Sequence, residues 1–541
     1  MRRLSLEQTL ELTRSVAGPR DLLPPSTDVL IVGAGPVGLT VLNLLARYGI
    51  SCTVIERNER TSDLPKAIAV DDEYLRLLAG LGLADAVHAR ASAPFGVFFT
   101  SARGRPLVTV PPFRTPNGFG NRVAVSQPLF EQTLLQGVPR QHASICFGAE
   151  FTGLSQGADH VEARVRVGGE ERALTARYLL ACDGARSPVR TAVGIDFPGR
   201  RIDEPHLVVD LAEFPDDTPG SRFFCDPRRP MNSIPAPFGG RRLEFMLAPG
   251  EDHDWLMSDQ GIRWLIDNFS PYRGLQPKII RRAIYGFSER IADRMQQGRV
   301  FLLGDAAHVM PPFGGQGLNT GARDAANLAW KLASVLQKNA DPKLLSSYDV
   351  ERRAQVSRAV RYSVNVGRLA NIRSRPLALL RNAVVRLLNQ YPPARDYLAQ
   401  MRYVPRPRID EGLLVTAGDA AADLVGTVFP RLMLDVDGAA ITFDEFVGFR
   451  HALVVLDPPG GFRVPPQLID AMSGVVLPMR SGKSMRGLAG CTDPLLDRLL
   501  PQLAGHAVLV RPDRYIAGAA PVQEAAGLLS AYRDAWSASG S

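Results

Sequence analysis

No stretch of the sequence approaches about 18 consecutive apolar residues, so we expect no membrane-spanning helix. The five cysteines lie far apart and form no CxxC pair, which excludes a disulfide scaffold and the usual spacing of a zinc site. The N-terminal segment lacks the apolar core of a secretory signal, and its early glutamates argue against a transit peptide. These absences predict a protein of the reducing cytoplasm.

Charge of one sign is also not concentrated anywhere along the chain. The 541 residues include 63 basic and 55 acidic residues, giving a net charge of +8, but the two signs are interleaved without a long basic run. This pattern is typical of a mixed, solvated surface, so we expect no nucleic-acid partner. The length predicts two or three packed domains rather than one.

Residues 27–55 follow the order strand, glycine-rich turn, helix and strand, which predicts a βαβ unit. The turn contains Gly33, Gly35 and Gly38 in the pattern GxGxxG, with Pro36 and Val37 between them. The first glycine permits a tight turn, the second lets a pyrophosphate approach the backbone, and the third lets helix and strand pack closely. The phosphates would lie at the helix N-terminus, where free N–H groups favour negative charge.

Glu56 closes the second strand and is followed by Arg57. A carboxylate at this position accepts hydrogen bonds from ribose hydroxyls and repels a 2′-phosphate, so the motif predicts FAD or NAD rather than NADP. The alternative interpretation is a purely structural glycine turn.

The remaining chain predicts an α/β protein of several domains. The expected parts are an N-terminal extension (1–26), a dinucleotide-binding domain in two pieces (27–195 and 292–402), a β-sheet substrate domain (196–291), a linker (403–412) and a C-terminal α/β domain (413–541). Short β-rich runs predict that a further insertion near 95–125 joins the mainly antiparallel sheet of the substrate domain.

Two further glycine–acid motifs indicate which dinucleotide binds. They are Asp183-Gly184 in LLACDGARSPVR and Gly304-Asp305 in VFLLGDAAHVMPPFGGQGLNTG. With GxGxxG they occur in the order found in class A flavin-dependent aromatic hydroxylases, the group of para-hydroxybenzoate hydroxylase and phenol hydroxylase. The chain resembles this family from residue 27 to its end, and it is most similar to the 3-(3-hydroxyphenyl)propionate hydroxylase branch.

The resemblance implies a Rossmann-like FAD-binding domain, an inserted antiparallel-sheet substrate domain and a thioredoxin-like C-terminal domain. It implies tightly but non-covalently bound FAD, with NADH or NADPH as the co-substrate. The residues that it places around FAD are Gly33, Gly35, Pro36, Val37, Gly38, Arg47, Glu56, Arg57, Gln127, Asp183, Gly304, Asp305, Pro312, Gly314, Gly315, Gln316, Gly317, Leu318 and Asn319. Glycine-rich backbone before a helix suits the negative charge that reduced flavin develops at N1.

The implied reaction is hydroxylation of a phenolic compound with O2 through a flavin hydroperoxide. A small phenolic acid like 3-(3-hydroxyphenyl)propionate is the favoured substrate, and a larger aromatic polyketide is the alternative. A halogenase would be expected to show a WxWxIP stretch, whereas the four tryptophans here are scattered. A nucleotide-binding protein without turnover would not need the flavin-contacting segment near residues 304–321.

Several residues carry more specific expectations. Arg228 is a candidate for binding a substrate carboxylate, since an arginine fork suits a carboxylate, and the alternative is a surface arginine. Pro311 and Pro312 are expected at the junction of flavin and substrate, where their fixed φ would stiffen the wall. His308 is a candidate acid or base, with a hydrogen-bonded structural histidine as the alternative. The catalytic base is otherwise unassigned.

Two features depart from the family or extend beyond the site. Lys66 stands where the family has an arginine, and lysine cannot replace a planar fork. The C-terminal domain lacks a redox CxxC pair, so we expect it to serve in packing and as a contact in a homodimer.

Overall fold

The strands form three larger sheets and one two-stranded ribbon in the computed structural model, which describes residues 3–64, 66–338, 340–415, 421–460, 462–485 and 488–538. The strands are β1 (Ser26–Val32), β2 (Cys52–Glu56), β3 (Ala69–Asp71), β4 (Gly96–Ser101), β5 (Pro106–Val110), β6 (Arg122–Ala124), β7 (Ala143–Phe147), β8 (Ala149–Gln156), β9 (Val161–Val167), β10 (Glu170–Ala181), β11 (Gly199–Ala212), β12 (Gly220–Cys225), β13 (Met231–Pro235), β14 (Arg241–Met246), β15 (Lys278–Ile291), β16 (Gln296–Gln297), β17 (Val300–Leu302), β18 (His308–Val309), β19 (Met433–Val436), β20 (Ala439–Thr442), β21 (Ala452–Leu456), β22 (Val475–Ser481), β23 (Ala489–Cys491), β24 (His506–Val510) and β25 (Ile516–Pro521).

The helices surround these sheets. They are α1 (Leu6–Leu12), α2 (Pro36–Arg47), α3 (Asp72–Gly80), α4 (Ala84–His88), α5 (Gln127–Gln136), α6 (Pro188–Ala192), α7 (His253–Met257), α8 (Asp259–Phe269), α9 (Gly317–Lys338), α10 (Ser347–Ala370), α11 (Arg375–Gln390), α12 (Pro392–Ala399), α13 (Phe443–Val447), α14 (Pro466–Asp470), α15 (Pro494–Leu503) and α16 (Ala525–Ala538). Among the helices of the described residues, none is both long enough and apolar enough to cross a membrane.

The first sheet has the strand order β16-β17-β10-β1-β2-β7, and the strands from β17 to β7 run parallel. Buried apolar runs such as Val29–Val32 make the strands suitable for a sheet covered on both faces, as parallel sheets require. Parallel strands end at one edge of a sheet. Gly33 after β1, Asp183 after β10 and Gly304 after β17 therefore share that edge.

The second sheet has the order β18-β15-β11-β14-β13-β12-β4-β5 and is antiparallel except between β12 and β4. The expected inserted antiparallel sheet is thus confirmed, and β4 and β5 from the 95–125 insertion join it. Helix α8 packs Ile262 and Leu265 against Leu243 and Phe245 on one face. The opposite face, which we call the inner face, carries polar side chains that share one side by strand register: His206, Asp210, Asn232, Arg242, Glu244, Arg281 and Tyr285.

The C-terminal part contains a seven-stranded mixed sheet in the order β20-β19-β23-β22-β21-β24-β25, with its own buried core around Phe429 and Phe443. Residues 403–412 form neither helix nor strand, as expected of a linker. The α/β class is confirmed, whereas the thioredoxin-like assignment of this domain and the exact domain boundaries stay predictions.

The five cysteines are unpaired. Cys52, Cys146, Cys225 and Cys491 are buried, and Cys182 is half-buried. Burial is the leading cause that raises the pKa of each thiol, for example to about 11 for Cys146.

A buried ion pair joins the C-terminal part to the first domain. The guanidinium of Arg76 in α3 donates two hydrogen bonds of 2.7 Å to Asp444, and Arg514 lies 2.8 Å from the same carboxylate. Burial alone would raise the pKa of Asp444, but these arginines outweigh it and lower the pKa to about 2. A carboxyl with a lowered folded-state pKa stabilises the fold above its unfolded pKa, and this contribution is lost as the pH falls.

We expect Asp444→Asn to lower the thermal midpoint of unfolding at pH 7, because Arg76 and Arg514 lose their partner. The pKa difference corresponds to about 2 kcal/mol in the wild type, which disappears between about pH 4 and pH 2. Calorimetry of both proteins at pH 7 and pH 3 checks this. Equal midpoints at pH 7 would show that the pair does not hold the domains together.

Candidate active site

The turn after β1 has the geometry that a pyrophosphate needs. Gly33 has a φ of +103°, and a Cβ there would lie 2.4 Å from the carbonyl oxygen of Cys182. A Cβ on Gly38 would lie 2.0 Å from the carbonyl oxygen of Gly33, so only glycine lets α2 pack this closely. A Cβ on Gly35 would meet nothing within 4 Å. The chain is therefore crowded at the first and third glycines and open at the second, where phosphate would approach.

The open space at Gly35 leads to the N-terminus of α2. Gly35 is the N-cap and supplies no side-chain hydrogen bond, and Pro36 occupies the first helical position. The early N–H groups of this helix, at Val37 and Gly38, are available to an anion.

Glu56 lies at the end of β2, beside this turn. One carboxylate oxygen accepts a hydrogen bond from the Ala34 N–H at 3.1 Å, and the other accepts one from the Asn58 N–H at 2.9 Å. These bonds fix the carboxylate while leaving lone pairs for ribose hydroxyls. Arg57 follows as an exposed residue.

Two carboxylates at the same sheet edge lack full partners. Asp183 accepts the Val189 N–H at 3.1 Å with one oxygen, and its other oxygen is buried without a partner. Asp305 accepts no hydrogen bond from any residue in the described part of the chain. Removal from water is the main cause that raises the pKa of both groups. Unsatisfied acceptors at this edge fit the hydroxyl groups of a bound FAD.

Asp305 is exposed, so its carboxylate reaches water at this edge of the sheet, which we call the cleft. The positive charge of Lys66 is close enough to lower the pKa of Asp305 in part. The charge of Lys66 therefore lies near Asp305.

A buried network behind the cleft holds Gly304 in place. Asp324 accepts the Gly304 N–H at 3.0 Å and His308 Nε2 at 2.8 Å, and Arg352 donates to its other oxygen at 2.8 Å. The side chains of His308 and Asp324 are wholly buried. His308 therefore lies behind the cleft rather than in it, which supports its structural interpretation over a catalytic one.

The glycine-rich loop before α9 is shaped by close contacts. Gly314 has a φ of +87°, and a Cβ there would lie 2.6 Å from the ring of Tyr362. The amide of Asn319 donates to the carbonyl oxygens of Gly315 at 2.7 Å and Ala69 at 3.2 Å. Gln316 immediately precedes α9, which begins at Gly317. The N–H groups of Gly317 and Leu318 therefore lie at a helix N-terminus.

The segment 66–71 forms the other wall of the cleft, and it is held from two sides. Gln127 accepts the Ala67 N–H at 2.8 Å, and Arg242 on the inner face donates to the Lys66 carbonyl at 2.9 Å. Gln127 thus shapes the cleft wall through the backbone. Pro311 is buried and Pro312 is exposed immediately before the glycine-rich loop.

Two predicted residues are not brought to the cleft. Arg47 lies at the C-terminal end of the 12-residue α2, about 18 Å along the helix from Gly35, and donates to the Leu81 carbonyl at 2.8 Å. Arg228 pairs with Asp226 at 2.7 Å and lies over Phe269 of α8, on the helix-covered face of the second sheet. We leave both residues out of the site, because their hydrogen bonds and positions serve other parts of the fold.

The sequence analysis missed the polar residues of the inner face. Arg242 donates to Asp210 at 2.7 and 3.1 Å, Asn232 donates to Glu244 at 3.1 Å, and the hydroxyl of Tyr285 is buried without a partner. The sequence signal that could have identified these residues is the alternation of polar and apolar residues along the strands. In HLVVD, His206 and Asp210 are four positions apart, and in RLEF, Arg242 and Glu244 are two positions apart, so the members of each pair share one face of their strand.

Comparison with known proteins indicates the same cofactor, FAD. The family model described as FAD binding domain matches residues 26–363. The 3-(3-hydroxy-phenyl)propionate/3-hydroxycinnamic acid hydroxylase 2 of Burkholderia vietnamiensis is 34% identical over 529 residues, covering 94% of this chain and 96% of that protein. A hydroxylase of the corresponding name from Escherichia coli strain 55989 is 37% identical over 433 residues, covering 79% of this chain and 78% of that protein.

Solved structures share the fold over nearly the whole chain. The flavin-dependent monooxygenase PieE, solved with FAD and substrate, superposes with a TM-score of 0.76 at 23% identity, covering 95% of this chain and 100% of PieE. OxyS anhydrotetracycline hydroxylase from Streptomyces rimosus gives a TM-score of 0.75 at 27% identity, covering 94% and 99%.

The fold and the three glycine–acid turns define an FAD-binding oxidoreductase. The chain belongs to the family of FAD-dependent aromatic hydroxylases and is a monooxygenase of that family. The predictions of this family, of FAD as cofactor and of an enzyme that hydroxylates an aromatic compound are confirmed.

Proposed function

We propose that this enzyme hydroxylates a small phenolic acid of the 3-(3-hydroxyphenyl)propionate type, with FAD, O2 and NADH or NADPH. The observation that carries the proposal is the 34% identity to a hydroxylase of that name along 94% of this chain. The expected partners are therefore a small aromatic substrate and O2, and we place the reaction in the cytoplasm.

The chain's own residues are arranged to hold FAD along the edge of the first sheet. In our assignment the pyrophosphate lies at Gly35 and the N-terminus of α2, Glu56 and the unpartnered oxygens of Asp183 and Asp305 accept sugar and ribityl hydroxyls, and 314–319 contacts the flavin ring. Bound FAD supplies the acceptor for hydride from the nicotinamide and the activation of O2. The glycine-rich N–H groups orient the ring and stabilise negative charge at its N1 edge.

The inner face of the second sheet provides the groups that act on a phenol. Burial raises the pKa of Tyr285 to about 12, so its hydroxyl stays protonated and can donate a hydrogen bond. A donor beside the positive charge of Arg242 stabilises a phenol oxygen as it loses its proton. A phenolate is more electron-rich than a phenol, which favours hydroxylation of its ring.

A second candidate function is hydroxylation of a larger aromatic polyketide. It is favoured by the structural likeness to OxyS at a TM-score of 0.75 and 27% identity. The curated hydroxylases at 34–37% identity support the phenolic acid more strongly.

The test is to purify the FAD-loaded enzyme and measure substrate-stimulated oxidation of NADH and of NADPH, with product identification. We expect stimulation by 3-hydroxyphenyl-substituted propionic or cinnamic acids, with one oxygen atom incorporated. Stimulation by polycyclic phenols alone would select the second candidate and contradict the first.

A further inference from the structure

Three polar side chains without partners meet beside the glycine-rich loop. Arg122 makes no ion pair or side-chain hydrogen bond with any residue that the structure describes, and its Nε is buried. The hydroxyls of Tyr362 and Tyr403 likewise have no hydrogen-bond partner among those residues. The positive charge of Arg122 lies close enough to both tyrosines to lower their pKa values against the larger effect of burial.

The fold places this group at the flavin loop. Arg122 begins β6, which pairs with β3 in the segment that lines the cleft. The Tyr362 hydroxyl would lie 3.4 Å from a Cβ on Gly314, and the rings of Tyr362 and Tyr403 are 6.4 Å apart. Tyr362 thus lies against Gly314, Tyr403 lies next to Tyr362, and the strand that begins with Arg122 pairs with the segment beside the same loop.

A half-buried guanidinium without an anion is costly, and a bound anion removes that cost. Buried arginines elsewhere in this protein have acceptors: Arg76, Arg242, Arg352 and Arg511 contact carboxylates, and Arg190 donates to the carbonyl oxygens of Ala185 and Ala306. Arg122 therefore differs from them in a way that indicates a ligand.

The geometry points to Arg122, with the hydroxyls of Tyr362 and Tyr403, as the site that binds the carboxylate of the substrate. This inference rests on the proposed phenolic-acid function and replaces Arg228 in the role that the sequence predicted for it. The same chemistry would suit a phosphate of the nicotinamide, so the experiment has an arm for each source.

The experiment compares Arg122→Met with Arg228→Met in the FAD-loaded enzyme. For each, KM and kcat are measured with a 3-hydroxyphenyl carboxylic acid, with 3-ethylphenol as its neutral analogue, and with the nicotinamide. Binding of the acid is titrated separately by the flavin absorbance change. Loss of a charged hydrogen bond predicts a rise of about 10-fold or more in KM and Kd for the acid. In Arg122→Met, the KM for the neutral phenol and the FAD content should be unchanged. Arg228→Met should bind the acid as the wild type does.

If Arg122→Lys partly restores binding of the acid, a positive charge is required at this position. An unchanged KM and Kd for the acid in Arg122→Met overturns the inference, and a rise confined to the nicotinamide assigns the anion to that co-substrate instead. Failure of the proposed function is seen separately, in a wild-type enzyme that binds the acid without hydroxylating it.

A second observation concerns α11, which lies largely outside the core. Among its residues Ala378 alone is buried. Leu377, Leu380, Val384, Leu387 and Tyr391 are 55%, 60%, 47%, 68% and 64% exposed, and we call them the leucine seam. Their spacing of three and four residues is the a/d pattern of a two-helix coiled coil.

The leucine seam exposes apolar surface on the order of 500 Å², before the neighbouring Leu388 is added, which reaches the largest patches usual on a monomer. Surrounding contacts would bring a two-fold interface toward the roughly 800 Å² per partner of a stable dimer. The positions that would flank the seam in a coiled coil are Arg381, Ala383, Leu388 and Gln390. Arg381 is the one charged residue among them, and its guanidinium donates to the carbonyl oxygens of Leu369 and Cys225.

We infer that the leucine seam pairs with the same seam of a second copy of this chain. An anionic membrane is the competing occupant, since no acidic residue occurs between Glu351 and Asp396. At about 100° per residue, however, Arg375 and Arg386 lie on the side of α11 opposite the seam. Arg381 lies beside the seam, but its guanidinium is held by the carbonyl oxygens of Leu369 and Cys225. A helix lying on lipid would instead place its basic residues beside the apolar stripe.

Light scattering of the FAD-loaded wild type should give about twice 58.8 kDa. The double variant Leu380→Glu/Leu387→Glu should give a monomer with its FAD retained. The matched control is Leu379→Glu, which changes a leucine that is 69% exposed on the other side of the same helix and should stay dimeric. A Val384→Cys variant should form a disulfide-linked dimer on oxidation, whereas Leu379→Cys should not.

Two results would overturn this inference. One is a wild type that is monomeric at micromolar concentrations, whether or not it sediments with vesicles of anionic lipid. The other is a dimer that survives both glutamates, which would place the interface elsewhere.

Discussion

Replacing Gly35 with valine is expected to yield a folded protein that no longer retains FAD. The position has no neighbour within 4 Å of a Cβ and a φ of −72°, so the fold accepts a side chain there. The same space is where we place the pyrophosphate, at the N-terminus of α2. Excluding it should weaken FAD binding by about 100-fold or more, equivalent to about 3 kcal/mol.

The matched control is Gly527→Val, since Gly527 likewise has nothing within 4 Å of a Cβ but lies in α16 of the C-terminal part. Both variants are compared with the wild type by circular dichroism, thermal midpoint and bound flavin after gel filtration. Retention of normal flavin by a folded Gly35→Val protein would show that the phosphates lie elsewhere.

Glu351→Gln is expected to cause the largest loss of stability among the substitutions considered. Its wholly buried carboxylate accepts hydrogen bonds from Lys331 at 2.8 Å, Arg511 at 2.8 and 2.9 Å and the Leu413 N–H at 2.9 Å. Burial alone would raise the pKa of Glu351, but Arg511 and Lys331 outweigh it and hold the pKa far below its usual range. Replacing the carboxylate by a neutral amide removes negative charge that compensates the buried cations Lys331 and Arg511. We expect this to lower the free energy of unfolding by about 3–5 kcal/mol.

The control is Glu150→Gln, whose partner Arg166 is about half exposed, so a loss within about 1 kcal/mol is expected there. Unfolding followed by urea, with flavin release and tryptophan fluorescence as separate probes, measures both variants. Because Arg511 and Leu413 belong to the C-terminal part, early unfolding of that part is the expected signature. Similar midpoints for the two variants would contradict a structural role for this network.

The local sequence was sufficient to predict the dinucleotide-binding turn, because a few neighbouring residues determine its geometry. Gly33, Gly35 and Gly38 lie within six residues, and each has the contact or the open space that its place in GxGxxG predicts. Asp183 and Asp305 reach the same edge because both follow parallel strands of one sheet, which the βαβ pattern already implied. Their roles toward FAD stay predictions.

Sequence was insufficient where a side chain's role depends on a partner far along the chain. Arg47 was expected beside FAD, yet the direction of α2 carries it to Leu81 instead. Arg228 and Arg122 are both single arginines in an arginine-rich chain. Only the fold shows that the first is paired with Asp226 and that the Nε of the second is buried without a partner.

The burial of the five thiols has a consequence for the working life of the enzyme. A reduced flavin that meets O2 without a substrate releases hydrogen peroxide, which attacks thiolates rather than thiols. Because every cysteine here has a raised pKa and none is fully exposed, few thiolates are present at neutral pH. Oxidation of these cysteines by such peroxide is therefore disfavoured.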